Sequence, residues 1–145
     1  MPSLNRSYAL AAFAVLSGVT AVFGAYLFLL NIPDPPAGSD GFAHGLAGGG
    51  AILYGLAGFV VVGVGVALAA LEAFDAGTPY HRLVAQVGAG LAGAGPPLVF
   101  VWVHLDGPVE LTGVAFVCIV VGTLFVGLVS GWVSATTVIR TLRSG

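Results

Sequence analysis

Three histidines, six carboxylates and a lone cysteine are the residues of this chain whose chemistry could go beyond packing. His44 and His104 have the most suggestive placement, each standing at the edge of a long apolar stretch with acids nearby in sequence: Asp40 before the first, Asp106 and Glu110 after the second. Two imidazoles at one depth can ligate a haem iron or a metal ion. Imidazoles at a membrane boundary also serve as helix caps and as hydrogen-bonding anchors for loops, a role that needs no cofactor. The second use is expected here, because both histidines stand beside acidic loops and not one or two turns inside an apolar span. His81 lies next to Arg82 in a separate polar segment, and Cys118 is embedded in an apolar run, which excludes an intramolecular disulfide and a thiolate cluster.

The charged residues are equally restrictive. None of the four Arg or the six Asp and Glu falls in the middle of an apolar stretch, whereas a proton or ion path through one subunit normally requires ionisable groups at membrane depth. Tyr54 and Gln86 are the strongest polar side chains at depth, and Glu72 closes an apolar run at its boundary. No nucleophile elbow, phosphate-binding loop, HExxH or CxxC motif is present, so no enzymatic activity and no cofactor are expected. A net charge of −2 without any lysine gives no means of neutralising a phosphate backbone, which excludes nucleic acid as a partner.

The elements that must position these residues follow from composition. With 58% hydrophobic and 7% charged residues, and a mean hydropathy of +1.06, most of the surface must face lipid or other apolar protein, since soluble domains carry about a quarter charged residues. Four stretches exceed the ~20 helical residues that cross the hydrocarbon core: Ser7 to Leu30, Gly45 to Leu71, Leu83 to Leu105 and Leu111 to Ile139. Backbone polar groups in lipid must be satisfied within the segment, so each is predicted to be a helix, and the class is all-α. The first stretch is too long for the apolar core of a secretion signal, about 7 to 15 residues, and reads as a retained helix.

Short connections make two hairpins of a single four-helix transmembrane domain. The Asn31 to His44 connection, stiffened by Pro33, Pro35 and Pro36, is expected to form an extended cap. Arg6, Arg82, Arg140 and Arg143 all fall on one side of the resulting topology, and the positive-inside rule assigns that side, with both termini, to the cytoplasm. Tyr8, Tyr80 and Trp132 at that level, with Tyr26, Phe42 and Trp102 at the other, fit the aromatic belts of a cell-membrane protein.

Helices in lipid meet where small residues let backbones approach. The fourth stretch carries Thr123, Gly127, Ser130, Gly131 and Ser134 on one face. The second carries Gly45 and Gly49 four apart and a stripe of Ala51, Gly55, Gly58 and Gly65, with Gly48, Gly50 and Gly63 on other faces. Both are expected to be packing faces, the second with surface to spare for another subunit. Pro96 and Pro97 remove two amide donors from the third stretch and predict a kink.

The segments Phe23-Gly24-Ala25-Tyr26-Leu27, Pro36-Ala37-Gly38-Ser39-Asp40-Gly41-Phe42-Ala43-His44-Gly45-Leu46 and Ala51-Ile52-Leu53-Tyr54 resemble the B subunit of multisubunit Mrp-type sodium/proton antiporters. That family is also small and four-helical, with a Pro-Gly-Gly-Gly-Phe run between its first two helices. Here the glycine run is interrupted by Ser39 and Asp40, and Gly113-Val114 in the fourth stretch matches only loosely. The resemblance implies a non-catalytic subunit of a large ion-translocating complex, organised like the membrane arm of respiratory assemblies. The residues point the same way: no ionisable path and surplus small-residue surface suit an accessory subunit whose partners are other integral membrane chains and the bilayer. The alternatives are a haem- or quinone-binding anchor using His44 and His104, and a small homo-oligomeric channel or carrier lined by Tyr54, Gln86 and the hydroxyls of the fourth helix.

Overall fold

The computed structural model describes residues 6–38, 41–105 and 107–144, apart from the Ser144 side chain. These residues form four helices: α1 Arg6–Leu30, α2 Phe42–Ala73, α3 Pro79–His104 and α4 Glu110–Ser144. All four are long and apolar enough to cross a membrane. The ends that differ from the sequence reading have local causes. α3 begins at Pro79 and not at Leu83, because Thr78 and His81 form a capping box: the His81 N–H donates to Thr78 Oγ1 (3.3 Å) and the Thr78 N–H to His81 Nδ1 (3.2 Å), with Pro79 preset for the first helical position. α2 begins after Gly41, whose φ of 67° suits a residue without Cβ.

α1 packs along α2 and α3 along α4. α1 also touches α3, and α2 touches both α3 and α4, whereas α1 and α4 make no contact among the described residues. The section is therefore a rhombus with α2 and α3 across its short diagonal. Neighbouring helices in the chain run antiparallel: Gln86, early in α3, bonds Ser7, early in α1, and Gly77 in the α2–α3 turn meets Val133, late in α4. Arg6, Arg82, Arg140 and Arg143 consequently share one end of the bundle, and His44 and His104 the other. An Arg82–Asp75 ion pair braces the turn at the arginine end.

The core is built of small residues. Ala11, Ala14, Ala85, Ala89 and Ala92 are buried with Val61, Val64, Leu68, Val126 and Val129, while Leu53 (69% exposed), Leu128 (71%) and Phe116 (69%) point outward. Large apolar side chains gain nothing by leaving lipid, so the inside is reserved for close backbone approach. Each hairpin crosses at a reciprocal glycine pair. A Cβ on Gly18 would stand 2.5 Å from the Gly58 carbonyl oxygen, and one on Gly58 would stand 2.7 Å from the Gly18 oxygen. Gly88 and Gly122 repeat the arrangement between α3 and α4.

The α2 stripe of Ala51, Gly55, Gly58 and Gly65 is buried as its spacing predicts. Gly45 and Gly49 face outward, with no other part of the chain within 4 Å of a Cβ placed on them. The α4 stripe does not carry the contact between α4 and α3. Gly127, Gly131 and Ser134 are exposed and Ser130 is half-buried, while α4 packs through Ala115, Gly122, Val126 and Val129, about a third of a turn away. The reason is steric: α3 supplies the small surface at Gly88, Ala89, Ala92 and Gly95, so α4 answers it with valine and Ile119 and leaves its own small stripe unused within the chain.

Candidate functional site between the two hairpins

The polar side chains at depth converge on α3 and join it to the first hairpin. Pro96 and Pro97 lie inside α3, which nevertheless runs unbroken from Pro79 to His104. Pro97 has no N–H to offer the Gly93 carbonyl one turn earlier. Ser17 of α1 fills the vacancy: its hydroxyl donates to the Gly93 oxygen at 2.7 Å in a buried bond. The approach is close because Gly93 lacks a side chain; a Cβ there would stand 2.8 Å from the Phe13 ring and 3.1 Å from the Ala14 Cα. The Tyr54 hydroxyl of α2 donates to the Pro96 carbonyl oxygen at 3.1 Å. Nearer the arginine end, the Gln86 amide donates to the Ser7 hydroxyl oxygen at 2.7 Å, and Ser7 is buried to 1% exposure.

Tyr54 and Gln86 stood out in the sequence as polar groups at depth, and both tie helices together. Ser7 and Ser17 did not stand out; their signal was a hydroxyl on the small-residue face of α1, beside Ala11, Ala14 and Gly18. The prolines announced a loss of donors, while the replacement donor lay 76 residues away in sequence. Within this node every named contact is neutral, so its chemistry is that of a hydrogen-bonded clasp. Thr123 Oγ1 and Ser130 Oγ of α4 are buried without a hydrogen-bond partner among the described residues.

His44 lies in the first turn of α2 and is half-buried, and His104 ends α3, exposed. The His104 ring is tilted 48° against Phe100 of its own helix, with centroids 4.5 Å apart. Asp40 and Asp106, the acids expected to anchor these histidines, lie outside the described residues. Glu110 is exposed at the start of α4. Among the described residues no three His, Cys, Asp or Glu side chains are grouped to hold a metal ion. His81 serves the capping box, and Cys118 is a free, half-buried thiol.

Fold and clasp together define a multi-pass, all-helical membrane protein whose interior polar groups hold helices to one another. Comparison of the chain with protein-family models, curated proteins and solved structures gave no match.

Proposed function

We propose that this chain is a small non-catalytic subunit of a larger energy-transducing membrane complex, either an Mrp-like antiporter, whose B subunit part of the sequence resembles, or a respiratory assembly, with both termini in the cytoplasm. The observation that carries this reading is the outward small-residue surface. Gly45, Gly49 and Gly63 on α2, with Gly113, Gly127 and Gly131 on α4, have no other part of the chain within 4 Å of a Cβ placed on them. Outward glycine exposes backbone to lipid without adding apolar area, and it suits a site where a neighbouring helix must come close. The absence of charged side chains from the middle of the spans supports the same reading, because ion transfer would then rely on groups supplied by partner chains.

Gentle solubilisation of native membranes followed by capture on a C-terminal tag tests the proposal. Unlike integral membrane chains in fixed stoichiometry are expected. A homo-oligomer that transports ions by itself would replace this reading with a channel, and a Soret band lost in His44→Ala or His104→Ala would replace it with a haem anchor.

A further inference from the structure

At the arginine end α4 outlasts α2 and α3. Val133 meets Gly77 in the α2–α3 turn, and that turn carries the Arg82–Asp75 ion pair, with the Asp75 side chain 88% exposed. Exposed, ion-paired side chains mark the level at which hydrocarbon has given way to headgroups and water. α4 runs on past it from Ser134 to Ser144, three turns and roughly 16 Å at the usual rise. This extension is divided lengthwise. Thr136, Thr137, Arg140 and Arg143 fall on the arc that continues the inward-facing Val126 and Val133, over the bundle end that bears Glu72, Asp75 and Arg82. Ala135, Val138, Ile139 and Leu142 fall on the opposite arc, away from the chain's own helices. A helix serving only its own bundle would turn its apolar arc inward. Here that arc points out, with Val138 57%, Ile139 49% and Leu142 77% exposed.

Lipid is a poor cover for this arc. Tilting the bundle far enough to submerge Leu142 would submerge the ion-paired turn as well, and no Gly or Pro between Gly131 and Ser144 lets the extension bend down onto the membrane surface. The arc also belongs to a longer line. Leu124, Leu128, Gly131, Ala135, Val138 and Leu142, all exposed, follow one another at alternating spacings of four and three, the 3.5-residue period of a seam between supercoiled helices. The line joins the glycine face within the membrane to the apolar arc beyond it without interruption.

We propose that this outer seam of α4 pairs with one long helix of an unlike subunit, which crosses the membrane beside α4 and continues about three turns past it on the arginine side. The proposal rests on the accessory reading and adds the partner's chemistry: an unbroken helix, apolar along one side beyond the membrane boundary and bulky at the level of Gly131 and Ala135. That notch selects an unlike helix. A second copy, inserted in the same orientation, would set Gly131 and Ala135 against themselves and leave a void between Leu128 and Val138, because the larger residues on either side hold the two axes apart.

Photo-crosslinking in the native membrane reads the part of the seam beyond the bilayer, from probe residues at positions 138 and 142, with position 140 on the opposite arc as control. Both seam positions should give a product with one unlike membrane protein, mapped to a segment adjoining its membrane span on the same side, and position 140 should give little. Val138→Ser with Leu142→Ser should lower recovery of that protein with the tagged chain about tenfold. Ala135→Leu should lower it too, because the notch is already filled by the partner, whereas in a self-paired seam it would fill a void and tighten association. These substitutions lie past the packed bundle, so the isolated chain should keep its thermal stability. Unlike subunits that co-purify while positions 138 and 142 give no product, or products with lipid alone, overturn the proposal and leave the accessory reading standing. A product with a second copy, or tighter association in Ala135→Leu, overturns it as well.

Discussion

Replacing Ser17 by Ala would leave the Gly93 carbonyl, already deprived of its helical donor by Pro97, buried without this hydrogen bond. A loss of about 1 kcal/mol is expected from unfolding measured in mixed micelles. The cause can be isolated, because Pro97→Ala restores an N–H one turn after Gly93. In that background Ser17→Ala should cost markedly less, and equal costs in both backgrounds would show that the hydroxyl is not compensating the proline. Gly18 is the second sensitive residue. Its Cβ position is 2.5 Å from the Gly58 carbonyl oxygen, which is backbone and can move aside only if the hairpin opens, so Gly18→Ala should destabilise by about 1–3 kcal/mol in the same assay. At this scale the sequence was half legible. Tyr54, Gln86 and the prolines declare themselves by type, but which carbonyl a serine reaches depends on how two helices far apart in the chain are set against each other.

Helix existence followed from span length and apolar composition, which is why all four helices agree with the sequence reading while their ends differ by up to five residues. The ends are set by local devices such as the Thr78/His81 capping box. Thr78→Ala should cost about 1 kcal/mol and fray the first turn of α3, measurable as faster amide exchange there. Facing was legible only for α2. Small residues mark where a helix can be approached closely, and on α2 the partner is α1, whereas on α4 the inward surface is valine set against the Gly88/Ala92 face of α3. The two glycine faces of α4 therefore differ in consequence. Gly122→Leu should prevent folding of the isolated chain, because Gly122 lies against the Gly88 carbonyl and Ala92. Gly131→Leu should fold normally as an isolated chain, with unchanged helicity and thermal stability, and should weaken only the association with other subunits.

For the whole molecule, antiparallel packing gathers Arg6, Arg82, Arg140 and Arg143 at one end, and the proposed cytoplasmic location of that end rests on the positive-inside rule. Asp34 and Thr141, exposed at opposite ends, carry the probes. In a Cys118→Ala background, Asp34→Cys should react with an impermeant maleimide on intact cells and Thr141→Cys only after permeabilisation; the reverse pattern would invert the topology. The proposed accessory role rests on the same whole-molecule view, since Ser7, Ser17, Tyr54 and Gln86 are taken up in the clasp while glycine faces on α2 and α4 are left uncovered by the chain itself. Photo-crosslinking in the native membrane from a probe residue at position 131 tests this most directly, with position 16 as a control, since Leu16 is 67% exposed on α1, away from the glycine faces. The account predicts a high-yield crosslink from position 131 to an unlike membrane protein and little from position 16. Crosslinks from position 131 to lipid alone, or to a second copy of this chain, would contradict it.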